Sequence, residues 1–479
     1  MSGSTTGLGS RAPAPRRRFE AGTSAKRDRA VLAVVLVTAF LTMLDNTVVT
    51  TAAPSIAADL RVTLPTLEWV ATGYMVAYAG LLLAGGRLAD RYGWPRTLRA
   101  GLLVFTIASL ACGLPALPGA PAGSAATLIA ARVVQGLGAA LLVPATLAAI
   151  AAGDERFRLR GAAGWTASGA VALAAGPVLG GVLSQHAHWS WIFLINVPVG
   201  LAALVVVRST TTAQPVPAQR AHVRLDLPGV ATATVALLAF AYALSHGTGH
   251  GWRESSALVS ALTAVAAGVA CLLWERVARD PVIDPRLFAV RAFSGGVAVQ
   301  VLWGLGVNGV FFYTAIYLQQ VGGYSPALAG LAFVAVAVAV AVVAPFTPAL
   351  VRRYGPARVV AAGLALVAVG MVAVALAGTG PVLLVGALAV IGFGSALTVP
   401  LGAVVLAAAP ARQAGVAGGM FAVAREASGV LGIAGIGVVV AGGNLARGYP
   451  IGLVLAAALV LLGAVLGARL LPGTEHDAR

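Results

Sequence analysis

Charge is scarce in this sequence. Of its 479 residues, 10% are Asp, Glu, Lys or Arg, where a soluble domain carries about 25%. Hydrophobic residues make up 59%, and the mean hydropathy is +0.90. A soluble chain of this length could not hide so much apolar surface, because the buried fraction rises only slowly with size. Cysteine is nearly missing as well. Cys112 and Cys271 both lie inside apolar runs, which argues against a disulfide framework and a cysteine-based metal site. No GxxxxGK[ST] loop is present, so nucleotide-driven pumping has no engine. No histidine falls in the interior of an apolar run, and no Ser-centred motif has a strand–turn–helix setting. No catalytic residue, no metal and no cofactor is expected. Acid is scarcer than base, 16 Asp+Glu against 32 Lys+Arg, for a net +16. These charges fill short gaps between apolar runs, so the excess reads as a membrane-surface signal and not as a nucleic-acid face.

A bilayer-spanning helix takes about 20 mostly apolar residues, and that window finds about fourteen runs. They begin near Val31, Trp69, Thr97, Ala125, Gly161, Trp191, Leu227, Ala257, Gly295, Ala327, Val359, Val382, Gly415 and Ile451. Basic residues precede the first run (Arg11, Arg16, Arg17, Arg18, Lys26, Arg27, Arg29), as in a signal peptide. The run itself is span-long and has no early small-residue cleavage site, so a retained first helix is expected. With both termini cytoplasmic and loops alternating, all but five of the 32 Lys/Arg fall in cytoplasmic segments. The exceptions are Arg61, Arg253 and Arg447 outside, and Arg132 and Arg425 within helices. Cytoplasmic loops collect Lys and Arg, so the alternation supports an even number of spans.

The chain repeats itself. Arg91-Tyr92-Gly93 with Arg96 recurs as Arg353-Tyr354-Gly355 with Arg358. Gly136-Leu137-Gly138 through Pro144 recurs as Gly392-Phe393-Gly394 through Pro400. The two matches relate spans 1–6 to spans 9–14 in the same orientation. The expected fold is all-α and polytopic, with two parallel six-helix halves and an inserted pair. The expected boundaries are a disordered basic tail over 1–29, halves over 30–208 and 292–471, the inserted pair over 226–275, and a tail over 472–479.

Several polar residues sit where lipid makes them expensive. Asp45 lies mid-span, where a charge costs about 2.5–3.5 kcal/mol on insertion scales. Thr38, Thr42 and Asp45 share one face, which reads as a cavity-facing stripe or as a carboxyl paired to a neighbouring helix. Arg132 lies deep in the fourth run and must find an acceptor there or snorkel to an interface. In the thirteenth run Arg425 and Glu426 are adjacent, so they point about 100° apart and are expected to face different surroundings. Glu426 is a second candidate proton or cation site, or a structural acid. Gly85-Gly86-Arg87-Leu88-Ala89-Asp90-Arg91-Tyr92-Gly93, then Pro95-Arg96, sits at the cytoplasmic exit of the second run. Its glycines permit close backbone approach, and Asp90 can pair with Arg side chains at helix ends. Arg352 stands where Asp90 stands in the first half, so the second copy has no acid of its own. In the fifth run Gly176-Pro177-Val178-Leu179-Gly180-Gly181 combines a helix-bending proline with small-xxx-small packing. Trp189 and Trp191 read as an interfacial belt, and Asn196 as an unforced polar residue. Candidates to line a cavity are Glu68, Tyr74, Asn196, Trp303, Asn308 and Phe312. Glu68 is either an outer-mouth acid or a solvated helix end.

From Leu44 to about Gly437 these motifs resemble the major facilitator superfamily, and most closely its fourteen-helix drug:proton antiporters. The resemblance implies that Asp45, Arg132, Arg425 and Glu426 serve proton coupling. It makes Gly85, Arg87, Asp90, Arg91, Gly93 and Arg96 a conformational latch, and Gly176, Pro177, Gly180 and Gly181 an antiporter signature. The string from Trp189 to Pro198 is similar to that subgroup, with Ser190 where an arginine is usual. The implied activity is proton-coupled export of small amphipathic drugs or antibiotics across a bacterial cytoplasmic membrane, by a monomer whose partners are substrate, protons and the bilayer. The alternative is export of another metabolite, siderophore or lipid on the same fold.

Overall fold

The structure is a computed structural model and describes residues 15–114, 124–210, 226–250, 254–278, 285–410, 413–441 and 444–472. Fourteen helices in them are long and apolar enough to cross a membrane. In the first half they are α1 (Lys26–Leu60), α2 (Leu64–Tyr92), α3 (Trp94–Gly113), α4 (Ala125–Ala151), α5 (Glu155–His186) and α6 (Trp191–Thr210). The inserted pair is α7 (Leu227–Leu244) and α8 (Ser255–Val277). The second half is α9 (Arg291–Gln320), α10 (Pro326–Tyr354), α11 (Pro356–Ala377), α12 (Pro381–Ala407), α13 (Val416–Val440) and α14 (Leu445–Leu470). Several helices start before their apolar runs, because a polar first turn can be capped. Asp154 accepts the Phe157 N–H at 2.7 Å and so starts α5 six residues ahead of Gly161. The helix that contains α1 starts at Pro15 and takes in residues 15–29, where the sequence alone suggests a disordered tail.

The repeat is visible in the packing. A Cβ on Gly136 would collide with the Tyr74 carbonyl of α2, and one on Gly392 with the Val336 carbonyl of α10. Two residues on, Gly138 meets the backbone of Phe105 in α3, as Gly394 meets the backbone of Gly363 and Val367 in α11. So α4 lies on α2 and α3 just as α12 lies on α10 and α11. Between α2 and α3 the chain turns through Gly93 at φ 82°, and between α10 and α11 through Gly355 at φ 80°. Only glycine enters that region without strain. The preceding arginines lie over their tyrosine neighbours in both copies, Arg91 at 5.4 Å and Arg353 at 5.1 Å from the ring centres.

The inserted pair meets the seam between the halves through α7. Helix α7 lies against both α2 and α13. A Cβ on Gly80 of α2 would come 2.5 Å from the Thr234 hydroxyl of α7, and the rings of Trp69 and Tyr242 meet at a tilt, 6.0 Å apart.

The turn at Gly93 between α2 and α3 marks one end of the bundle, here the basic end; helices α5 and α10 cross near the other, the far end. There Gly181 fits against Pro326, and Gly330 against the Pro177 carbonyl, with no room for a side chain on either glycine. Gln185 Oε1 accepts the Ala327 N–H at 3.1 Å, and Gln319 donates to the Thr51 carbonyl at 2.9 Å. At the basic end, by contrast, Arg158, Leu159 and Arg160 of α5 and Arg352, Arg353 and Tyr354 of α10 are exposed. The halves are therefore drawn together at the far end along α5 and α10.

Candidate functional site

Four helices bring polar side chains to one point in the first half. Asp45 of α1 is completely buried, and so is Arg132 of α4. Arg132 Nη1 makes an ion pair with Asp45 Oδ2. Gln135 Nε2 donates to Oδ1 at 2.8 Å, and Asn196 Nδ2 of α6 donates to the same oxygen at 3.0 Å. Gln135 in turn accepts from Arg132 at 2.6 Å and donates to Ser109 of α3 at 2.8 Å. Arg132 Nε donates to the Val70 carbonyl at 2.9 Å. Its guanidinium lies 4.4 Å from the centre of the Tyr74 ring and 5.4 Å from that of Phe193, both buried. All three of these partners of the Asp45 carboxyl are donors, an arrangement that suits the ionised carboxylate, which only accepts. A proton on Asp45 would cancel the charge that balances Arg132.

The placement follows from helical spacing. Arg132 and Gln135 are three apart on α4 and share a face. Thr38, Thr42 and Asp45 do share a stripe, but it is buried against the bundle and not open: Tyr74 donates to the Thr42 carbonyl at 3.1 Å. Snorkelling is ruled out for Arg132 by its zero exposure. The sequence alone gives Gln135 and Ser109 no role. Their signal there is a glutamine one turn from a buried arginine, and Ser109 is an ordinary residue in an apolar run until α3 and α4 are packed together.

A second ion pair belongs to the other half. Arg425 Nε and Nη2 donate to Glu426 Oε1 at 3.0 and 2.8 Å. This corrects the expectation that adjacent residues face apart. The three-carbon stem of arginine is long enough to curl along the helix surface and bring the head group back to its neighbour. The Glu426 side chain is 5% exposed and that of Arg425 33%. Tyr78 of α2 hydrogen-bonds Arg425, and its ring lies 6.0 Å from that of Tyr74. One helix of the first half thus touches both ion pairs.

The remaining candidates separate into groups. In the last turns of α2, Gly85 packs against the Ala140 carbonyl of α4, Asp90 is exposed and Arg87 and Arg91 are half-buried, and Arg96 is exposed in the first turn of α3. In α5, Gly176 fits against Thr47 and Gly180 against the Val48 carbonyl of α1, while Thr51 donates to the Pro177 carbonyl at 2.8 Å. Among the candidate cavity residues, Tyr74, Asn196 and Phe312 are fully buried and Glu68 is 3% exposed. Glu68 is therefore not the solvated helix end the sequence allowed. Tyr313 supplies the donor that lets it be buried, at 2.5 Å. Asn308 donates to its own helix at Gly304, 3.1 Å away, and Trp303 is half-buried. Trp189 is not interfacial either. It is 2% exposed and donates to Asp59 at 2.7 Å, whereas Trp191 stays exposed. His188 and His246 pair with Asp59 and Glu254, and no group of three metal-ligating side chains occurs among the described residues.

The sequence profile of the Major Facilitator Superfamily matches residues 35–433, and again 323–479. The chain belongs to that superfamily. Its fold is shared with superfamily members of known structure. An inward-open conformation of the xylose transporter XylE from E. coli superposes with a TM-score of 0.66 at 14% identity, covering 94% of this chain and 97% of that one. A peptide transporter POT in complex with sulfate gives 0.66 at 17% identity, over 92% and 94%. The fold and family are those of a membrane transporter, not an enzyme. Among superfamily relatives, the cephamycin export protein of Amycolatopsis lactamdurans is 39% identical over 65% of this chain and 64% of its own length. The methylenomycin A resistance protein of Bacillus subtilis is 38% identical over 63% of each. The tetracenomycin C resistance and export protein of Streptomyces glaucescens is 32% identical over 86% of this chain and 75% of its own. For the first two relatives the matched region is thus just under two thirds of their length.

Proposed function

We propose that this superfamily member is a proton-coupled antiporter that exports small amphipathic antibiotics or drugs by alternating access. In this reading it acts as a monomer in a bacterial cytoplasmic membrane, with both termini in the cytoplasm. The observation that carries the reading is Asp45, fully buried in a cage of donors with Arg132 as its counter-ion. Proton uptake removes the charge on Asp45 that balances Arg132, so the ion pair that anchors the cage of Arg132, Gln135 and Asn196 is lost. Those partners come from α4 and α6, and Arg132 also holds the α2 backbone at Val70. Protonation is thereby tied to how α1, α2, α4 and α6 sit together, which is what a change of access requires. One elementary charge moving through 100 mV supplies about 2.3 kcal/mol, enough for a roughly 50-fold concentration ratio when fully coupled. The substrate class rests on the relatives named for export of, or resistance to, cephamycin, methylenomycin A and tetracenomycin C, and on how few charges the spans carry.

The test is proton flux in proteoliposomes. A substrate pulse should move protons with the wild-type chain and not with Asp45→Asn, which keeps size and polarity but cannot titrate. Continued exchange by the Asn variant would transfer the proton-carrying role to Glu426. Transport that follows ATP and ignores the gradient would sink proton coupling altogether.

A further inference from the structure

One carboxyl at the far end joins three helices from the two halves. Glu68 lies in the first turns of α2 and is nevertheless 3% exposed. The Tyr313 hydroxyl of α9 donates to its Oε1 at 2.5 Å, and Tyr313 is itself fully buried. Beneath them is Gly437 of α13. A Cβ there would stand 2.5 Å from Glu68 Oε1 and 2.7 Å from the Tyr313 oxygen. A buried carboxyl is costly unless a donor meets it, and here the donor comes from the opposite half. We propose that Glu68 and Tyr313 form a clasp that holds the far end of the transporter shut, and that residue 437 is glycine because the clasp fills the space a side chain would need.

The inference rests on the alternating-access reading and adds a gate to it. Opening the far end separates α2 from α9 and returns both groups to water. The hydrogen bond therefore stabilises only the closed form, and an interaction made in one state alone shifts the balance between the two. Hydrogen bonds of this kind are strong enough that removing one should raise the open population roughly 10-fold. Neighbouring cross-half contacts, Gln319 to Thr51 and Gln185 to Ala327, lie at the same end and would part in the same motion. Glu68 is in this account a positioning residue and does not bind substrate.

Double electron–electron resonance tests it. In a background of Cys112→Ala and Cys271→Ala, spin labels at Ala58→Cys and Gln320→Cys report the far end, and labels at Arg160→Cys and Arg353→Cys report the basic end. All four positions are exposed. With no substrate, the far-end pair should give mainly short distances. Glu68→Ala, Tyr313→Phe and Gly437→Ala should each raise the long-distance fraction roughly 10-fold, with the basic-end pair shortening in step. Glu68→Gln should stay close to wild type, because its carboxamide oxygen still accepts from Tyr313. In transport assays the clasp variants should change kcat more than KM. Unchanged distances in Tyr313→Phe and Gly437→Ala overturn the proposal, even where Glu68→Ala fails to fold. A raised KM for Glu68→Ala with unchanged distances overturns it too and makes Glu68 a substrate-binding acid. Wild-type labels that respond to substrate while the variants behave like wild type sink the clasp alone. Labels that never move at either end sink alternating access with it.

Discussion

Arg132→Gln should destabilise the protein more than Arg132→Gln combined with Asp45→Asn. The single change removes the counter-ion from a carboxylate with no exposure to water, and breaking a buried ion pair from one side costs about 3–5 kcal/mol. It also takes away the bond from Arg132 Nε to the Val70 carbonyl and the cation stacked on Tyr74. Neutralising Asp45 as well leaves a cluster of four amides, the two introduced ones beside Gln135 and Asn196, and amides can satisfy one another. Replacing both ions of a buried pair is often nearly neutral, so the second change should return about 2–3 kcal/mol, the upper range of pairwise coupling energies. The assay is thermal unfolding of the purified chain in detergent for wild type, the two single variants and the double variant. The double variant should melt above Arg132→Gln, yet drive no proton-coupled export. Strictly additive losses would show that Asp45 and Arg132 do not depend on each other. A double variant that still exports against a gradient would show that the pair holds the structure but does not couple transport.

Other substitutions probe other parts of the molecule. Gln135→Leu leaves Ser109 and the Arg132–Asp45 pair short of partners, so export should fall roughly 10-fold, read as initial rate in vesicles; an unchanged rate would reduce Gln135 to packing. Gly330→Ala drives a methyl into the Pro177 carbonyl across the seam, so it should slow transport sharply, whereas Gly435→Ala, with nothing within 4 Å, should be silent in the same rate assay. Gly85→Ala meets the Ala140 carbonyl and should cut the yield of folded protein on size-exclusion chromatography, while Gly386→Ala, in open surroundings, should keep it or gain about 0.5–1 kcal/mol. Asp90→Asn should insert normally and turn over more slowly, with substrate binding changed less than rate; full turnover would mark Asp90 as an ordinary surface charge.

Most of the fold is legible in the sequence because lipid simplifies the code. Every span must satisfy its own backbone, so a run of apolar residues is a helix almost by necessity, and Gly-rich strings such as Gly136–Gly138 mark where helices touch. The Asp45–Arg132 pair is half legible. Two unaffordable charges in apolar runs need each other, but Gln135, Ser109 and Asn196 are polar residues a span can carry anywhere, and only packing shows that they converge. Glu68 misleads for the same reason. Four residues from a helix start reads as the water's edge, and the burying partner, Tyr313, is 245 positions away. Glu426 misleads for a different reason: spacing rules describe where side chains leave a helix, not where a long flexible one ends.

The two halves share a fold but divide the chemistry. In the aligned motifs of α4 and α12, the positions of Arg132 and Gln135 are taken by Leu388 and Ile391, both completely buried. The backbone scaffold is the same on both sides, down to the glycines that admit α2 and α10. A guanidinium in the second copy would therefore need its own carboxylate and amide partners. The second half places its ion pair on α13 instead, where Arg425 and Glu426 are local to one helix and Arg425 keeps partial exposure. The Asp45–Arg132 ion pair itself spans α1 and α4 and must feel any shift between them, whereas Arg425 and Glu426 share one helix and meet α2 only through Tyr78. On the proposed proton-coupled reading, this difference favours Asp45 over Glu426 as the acid that turns a proton into a movement. Helix α2, which carries Tyr74 under Arg132 and Tyr78 beside Arg425, is the element that would pass that movement to the other half.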